Sequence, residues 1–519
     1  MASFSTSSSL VGSHRSILLA LLCTTVVKIL LFPAYRSTDF NVHRNWLAIT
    51  RNLPLSEWYF DDVHGTTLHT LDYPPTFAYF EYILSNNPVT EWLVSSGLVD
   101  DRCFALLPDT DNSVSKACVT FHRSTVILSD VILWIGAYVA SSAVFPDNSI
   151  NNRWTFLLIV MNPGLLWLDH VHFQYNGMLL GILLVSIGLI VKGSTLKGPT
   201  HHSYHLLAAA AIFALLLTMK HLFLGLAPLY FVYLFSVYCM TPLFNVRNFL
   251  KVAVVTGSSL VVPFLPFVIQ ADPMKQLSQM IDRLFPFGRG LVHDYWAANV
   301  WAIWALSDKV LNHVARKFGE SWTLPELSPA LVAVILLTGL VPGLCCGWKA
   351  SPTTLLHCIV FCAMSSFMLA YHVHEKAIMT AIIPLTLLAS KSVDCARLYL
   401  RMSALGLLGL FPLLFRPVEL PLKVVSYVGF LAMSFHALEE MLGTKSILNG
   451  IDYAGILVLS FVAFFLEVIH PLWFFPRMEF LPLLLTSIVC ALGLVVCWGQ
   501  TSRLMLRSSR QMEVTPGHC

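Results

Sequence analysis

Charge is what this sequence has least of. Only 12% of its 519 residues are Asp, Glu, Lys or Arg, about half of what a soluble chain carries. That shortage excludes a solvated surface over most of the length. With 56% hydrophobic residues and a mean hydropathy of +0.70, the chain reads as a polytopic integral membrane protein. No block of Lys or Arg is present and the net charge is +3, which argues against a nucleic-acid-binding face. No Walker A loop occurs, so ATP-driven pumping has no support. The 12 cysteines contain no CxxC pair and no Cys/His spacing of a metal site. No N-x-S/T acceptor marks one side of the membrane. Nor is there an internal repeat or an inverted pair of broken helices, features common in secondary transporters.

What is there is a series of apolar runs. About 14 of them are read as spans at roughly 20 residues each: near 16–35, 122–144, 154–168, 177–191, 205–219, 221–239, 252–270, 328–346, 352–371, 376–391, 398–416, 422–440, 453–470 and 480–500. The first, from Ser16, resembles a signal peptide but no small-residue cleavage site follows it, so it is expected to be a retained anchor. Lys220-His221 divides the stretch 205–239 into two short helices. Ala297–Leu311 carries Asp308 and Lys309 and is expected to be interfacial or re-entrant. The resulting organisation is a short N-terminus (1–15), one transmembrane domain (16–500) and a tail (501–519), with a large loop at 36–121 and a second at 271–327. Residues 37–121 hold 11 acids against 4 Lys/Arg, whereas Lys and Arg collect in the opposite loops and the tail. The positive-inside bias therefore puts both termini in the cytosol and the acidic loop in a lumenal or extracellular space.

The polar motifs all fall on that non-cytosolic side. In Leu71-Asp72-Tyr73-Pro74-Pro75 the prolines keep Tyr73 out of a helix and aim Asp72 in a set direction. The carboxylate is a candidate general base toward a sugar hydroxyl; the plainer alternative is a turn or helix-cap aspartate. Asp39, His43 and Arg44 follow the first span as interfacial substrate ligands, or else Asp39 caps the next helix. Asp169-His170-Val171-His172-Phe173-Gln174-Tyr175-Asn176-Gly177 sets six polar side chains between two apolar spans. Asp169, His170 and His172 suggest a metal but lack a clear fourth ligand. Sugar binding by Gln174, Tyr175 and Asn176 and a satisfied polar turn are the other readings. In Tyr371-His372-Val373-His374-Glu375-Lys376, the residues His372, His374 and Lys376 alternate if extended, and His372 and Lys376 share a face if helical. Either arrangement offers cationic donors to phosphate, or Glu375-Lys376 is simply a neutralising pair; the spacing is not the HExxH of a zinc protease. In Arg283 to Leu291, Arg283 and Arg289 flank a Pro- and Gly-bent aromatic strip suited to clamping a lipid phosphate or to lying in the interface as an aromatic belt. Tyr295 and Trp296 follow, with rings that stack on sugars.

Taken together and in this order, LDYPP, DHVHFQYNG, RLFPFGRGL and HVHEK resemble the dolichyl-phosphoglucose-dependent α-1,3-glucosyltransferases of the endoplasmic reticulum, from about Asp39 to the last span. His170 to Gly177 and His293 to Asn299 resemble the branch that adds the second glucose rather than the first. The resemblance implies an all-α, C-type glycosyltransferase architecture whose large first lumenal loop contains short interfacial helices. It implies transfer of glucose from dolichyl phosphate glucose to the terminal glucose of the monoglucosylated nine-mannose dolichyl-diphosphate oligosaccharide, with inversion, feeding protein N-glycosylation. Asp72 would be the base; His372, His374, Lys376 and Arg289 would meet the donor phosphate. Asp39, Arg44, Tyr73, Asp169, His172, Gln174, Tyr175, Asn176, Lys220, His221 and Trp296 are candidate substrate contacts. No metal or other cofactor is implied. The alternatives are the first-glucose enzyme and, in other classes, a lipid-linked sugar flippase or a scaffold. A flippase would carry charges inside its spans, whereas here the charged motifs gather at one rim. The lumen would permit a Cys103–Cys118 disulfide, which sequence leaves open.

Overall fold

The computed structural model describes residues 5–60, 69–106, 114–195, 199–270, 272–293, 296–474 and 476–514. The structure is all-helical, with no strand among the described residues. Ten described helices are long and apolar enough to cross a bilayer, and each coincides with an expected span. The other four expected spans are not among the ten. The helix Ser5–Leu30 stops short of residue 35, where Pro33 has no N–H to donate. Residues 205–219 form the end of the helix Pro199–Leu217, which breaks before Lys220 as expected. Residues 376–391 hold a 3-10 turn, Glu375–Ile378, and an eight-residue helix, Met379–Thr386. The helix Val393–Leu408 has 16 residues and gives way to a proline-containing 3-10 turn. Ala297–Leu311 lies mostly in the helix Val300–Lys317, capped by the Asn299 side chain, and is not among the ten.

The chain divides into two compact units. The first comprises Met1–Leu224 and Pro242–Pro286. Its most extensively packed helix pair is Lys116–Val144 with Asn176–Thr195. Glycines allow this approach: a Cβ on Gly136 would sit 2.2 Å from the Gly181 carbonyl oxygen, an impossible distance. Segment 38–104 folds into the helices Thr38–Asn52, Pro75–Ser85 and Pro88–Ser95 with short 3-10 turns. A Cys103–Cys118 disulfide ties its end to the next long helix, within a cluster of Leu47, Val99, Phe104 and Phe121.

This unit also corrects the expectation that charge gathers only at one rim. Lys28 Nζ lies 2.7 Å from Asp130 Oδ2 inside the helical core, and His170 Nε2 lies 3.1 Å from the same oxygen. Arg123 donates to the carbonyls of His170 and Tyr35. Lys28 and Asp130 neutralise each other, and together with the Arg123 bonds they tie the first helix to the chain around His170. Removing one partner of such a buried pair costs about 3–5 kcal/mol.

The second unit comprises Gly225–Thr241 and Phe287–Cys519. Its centre is the buried helix Pro352–Leu369, packed against Pro329–Gly347 and Leu481–Val514. Gly343 makes the first contact possible, since a Cβ there would meet Cys362 Sγ at 2.6 Å. Trp498 Nε1 donates to Ser365 Oγ at 2.9 Å across the second. Lys423 and Glu467 pair at 2.6 Å, a further ion pair within the helices.

Candidate active site

In the first unit, Asp72 sits on a short irregular segment held from both ends. Upstream, Trp46 Nε1 donates to the Thr70 carbonyl at 2.8 Å, and Asn45 Nδ2 to the His69 carbonyl at 2.9 Å. Downstream, the Tyr59 hydroxyl donates to the Tyr73 carbonyl at 2.8 Å. The Thr76 N–H donates to the Thr218 carbonyl at 3.0 Å, and the two threonine hydroxyls meet at 2.7 Å. As expected, Tyr73 is not helical: the helix begins at Pro75 with Pro74 in the cap position. Asp72 therefore does not cap it. The carboxylate is half-buried on a backbone with little freedom to turn.

Beneath this segment lies an aromatic floor. His43 packs against Trp46, Tyr73, Phe77 and Tyr175. Its Nδ1 contacts Glu81 Oε1 at 2.7 Å, with both side chains fully enclosed. Burial pushes the Glu81 carboxyl above the usual range, against the lowering effect of His43. Burial, then the nearby Asp72 carboxylate, raises Tyr73 well above an ordinary phenol.

Three separated motifs reach Tyr73 through a chain of hydrogen bonds that ends in a ring contact. Gln174 Nε2 donates to Asp39 Oδ2 at 2.5 Å. Asn176 Nδ2 donates to Gln174 Oε1 at 2.8 Å, and Lys220 Nζ donates to Asn176 Oδ1 at 3.2 Å. The Lys220 ammonium then lies 4.9 Å above the centre of the Tyr73 ring, a cation–π contact. His172 joins the far end, with Nε2 3.3 Å from Asp39 and Nδ1 2.9 Å from the Tyr35 hydroxyl. Asp39 is not the helix cap, a place taken by Ser37. Asp169 accepts from the Asn176 and Gly177 N–H groups at 3.0 and 2.6 Å and from Asn176 Nδ2 at 2.9 Å, so it fixes the start of a helix. Asp169, His170 and His172 thus turn to different partners and do not share a metal.

Three candidates stand apart from this chain. Tyr175 is buried, bonded to Thr125 at 2.8 Å. Arg44 donates to the Ala105 carbonyl and lines a cavity of about 390 Å³ with Arg36, Arg102, Asp100 and the disulfide. His221 packs on Phe285.

In the second unit the loop 287–293 is pinned to the turn 371–374. The Tyr371 hydroxyl donates to the Phe287 carbonyl at 3.1 Å, and the His372 N–H to the Leu291 carbonyl at 3.0 Å. His372 is neither extended nor helical: its φ is +51°, a left-handed turn that folds its ring back to Gly290. This replaces both expected periodicities. His374 begins the 3-10 turn that carries half-buried Lys376. Arg289 is exposed. His293, given no role by sequence reasoning, stands with His372 and His374, its ring 4.0 Å from that of His374. No spacing rule joins it to residues some 80 positions away. Trp296 lies under Lys309 Nζ at 4.7 Å, and Tyr295 lies outside the described residues.

Comparison with known proteins decides the family. The profile described as "ALG6, ALG8 glycosyltransferase family" matches residues 24–501. The chain belongs to this family. It is 36% identical to a mouse protein named dolichyl pyrophosphate Glc1Man9GlcNAc2 alpha-1,3-glucosyltransferase, covering 96% of this chain and 97% of the mouse one. Proteins of the same name from Arabidopsis thaliana (35% identical) and Schizosaccharomyces pombe (38%) each cover 94% of this chain and are themselves covered to 97%. Every motif described above thus lies inside the family match.

Proposed function

We propose that this protein transfers glucose from dolichyl phosphate glucose to the terminal glucose of a monoglucosylated nine-mannose dolichyl-diphosphate oligosaccharide, forming an α-1,3 linkage. The observation that carries this reading is the match, over nearly the whole chain, to relatives named for that glucosyl transfer.

A β-linked donor and an α-linked product require one in-line displacement at the anomeric carbon. The acceptor hydroxyl loses a proton as the new bond forms, and the phosphate departs with the electron pair of the old one. Asp72 is assigned as the base that takes the 3-hydroxyl proton, because its segment is fixed at both ends and its orientation is set before substrate arrives. His372, His374, Lys376 and Arg289 are assigned to the donor phosphate, whose departure positive charge and hydrogen-bond donors assist. Tyr73 and Lys220 are assigned to the acceptor side. Asp39, Gln174 and Asn176 act through Lys220 as positioning residues.

The working face is assigned to the endoplasmic-reticulum lumen, with both termini cytosolic. The Cys103–Cys118 bond supports this, since disulfides persist in oxidising compartments. So does the excess of acids in residues 37–121. The architecture is assigned to the C-type glycosyltransferases, with the short helices of segment 38–104 at the lumenal interface. Purified protein given dolichyl phosphate glucose and each acceptor in turn tests the reading. The expected result is transfer only to the monoglucosylated acceptor. Transfer only to the unglucosylated one assigns the chain to the first-glucose reaction instead.

A further inference from the structure

We propose that Gln279 is a positioning residue for the base, acting on the Asp72 segment through Tyr59. This deepens the proposed function and rests on its assignment of Asp72. Gln279 lies on the helix Pro273–Leu284, at the start of the second large loop and 220 positions from Tyr59.

Tyr59 makes the connection. It lies just past the 3-10 turn Leu55–Glu57, outside regular helix. Its hydroxyl donates to the Tyr73 carbonyl at 2.8 Å, one residue after Asp72. A hydroxyl at the end of a long side chain is aimed only if its ring and its backbone are both held. The ring packs edge-on against fully enclosed Phe267, with centres 5.4 Å apart. The backbone is held by Gln279, whose Nε2 donates to the Tyr59 carbonyl at 3.0 Å.

Gln276, Gln279 and Arg283 follow at spacings of three and four and so share one helix face. Gln276 Nε2 donates to the Ser56 carbonyl at 2.7 Å, and Arg283 Nη1 reaches Thr70 Oγ1 at 3.5 Å. That face therefore runs from the turn at Ser56 to a point two residues before Asp72. The chain leading into the helix is fastened to the same region. The Tyr79 hydroxyl donates to the Pro263 carbonyl at 3.0 Å, and Phe267 also meets Trp58 and Tyr79. Pro263 and Phe267 belong to the span Val246–Val268, so the base segment is referenced to a membrane helix. Both proposed substrates are anchored in the bilayer, and a base tied to a span keeps a set height over them.

The test uses full-length protein in detergent with dolichyl phosphate glucose. Gln279→Met keeps the length of the side chain and removes the donor. Its kcat should fall about tenfold with little change in KM, because displacing a reacting group costs rate rather than binding. Tyr59→Phe breaks the next link of the same chain. The double variant should then also be down about tenfold, whereas independent effects multiply to about a hundredfold. Gln276→Met removes a comparable bond that does not reach Tyr59, and should stay within about twofold of the unaltered protein. Melting temperatures check that each variant folds. The proposal is overturned if kcat of Gln279→Met stays within about twofold, if the two effects multiply, or if Gln276→Met falls equally. Hydrogen exchange supplies a readout that needs no turnover. The Thr76 N–H, bonded to the Thr218 carbonyl, should exchange faster in Gln279→Met and Tyr59→Phe than in Gln276→Met. Equal protection in all three also overturns it. Rates are compared on whichever acceptor the unaltered protein glucosylates. Transfer only to the unglucosylated acceptor sinks the proposed function and leaves this comparison intact; undiminished transfer by Gln279→Met to the monoglucosylated acceptor sinks only this inference.

Discussion

The Asp72 segment and the histidine turn are both irregular chain carrying polar side chains, yet they are held differently. Around Asp72, bonds from Trp46, Asn45, Tyr59 and Thr218 fix the backbone on either side, over a packed floor of rings. Around His372 and His374, a few bonds join two partly exposed loops, and the side chains are half-buried. The contrast fits the roles proposed for the two groups, Asp72 as base and the histidines on the donor phosphate. A base must face one hydroxyl along one line, so a small rotation is costly. A phosphate offers several equivalent oxygens, and a looser cluster can still meet it.

The largest effect that bears on this contrast is at Asp72. Asp72→Asn keeps the shape and removes the proposed base; kcat should fall by about 10³–10⁴ with the melting temperature unchanged. A turnover within a factor of a few of the original would remove Asp72 from the role. His374→Ala should lower kcat by about 10²–10³, the loss typical of one charge-stabilising donor. Comparable activity in both variants would mean that the second cluster carries as much of the reaction as the first.

Replacing Cys103 and Cys118 by Ser opens a loop with a separation of 15 residues. About 3 kcal/mol of stability should be lost, read as a lower melting temperature in detergent. In intact microsomes, maleimide should label these two positions only after reduction; labelling without reductant would contradict the bonded pair and the lumenal assignment it supports. Tyr59→Phe removes a single hydroxyl that anchors the Tyr73 carbonyl. The expected cost is about 1 kcal/mol of stability, with roughly a tenfold fall in kcat and little change in KM. If kcat is untouched, the claim that the fixed backbone aims Asp72 is broken.

The smallest effect expected is from Glu81→Gln, which keeps a hydrogen-bonding partner for His43 and removes a buried ionisation. The folded state holds the Glu81 pKa above its unfolded value. Ionisation therefore destabilises the fold once the pH exceeds the unfolded pKa. The advantage of Glu81→Gln should grow as pH rises from there through the raised folded pKa, and then level off. Melting curves across that range check the sign; a growing disadvantage would show that the ionised pair with His43 stabilises the floor.

Much of the fold could be read from composition and period. Ten expected spans coincide with long apolar helices, and Pro74-Pro75 keeps Tyr73 out of the helix as their chemistry requires. The failures have physical reasons. Residues 376–391 are apolar enough for a span, yet a 3-10 turn shortens the helix to Met379–Thr386. Lys28 and Asp130 lie 102 positions apart, so nothing local in the sequence reveals that they neutralise each other. At the site, Asp39 was legible as a polar residue at a helix start, but its partners Gln174 and His172 were not.

The sequence by itself determined that this chain lives in a membrane, because hydropathy is a sum over residues and needs no neighbours. It determined the family as well, since the long motifs stand in order along the chain. Only the tertiary structure decided which polar residues act together. It joined Asp39, Gln174, Asn176 and Lys220 into one chain ending at Tyr73. It also brought His293 beside His372 and His374. Hydrogen bonds and ring contacts act over a few ångströms of space, and separation along the sequence does not fix that distance.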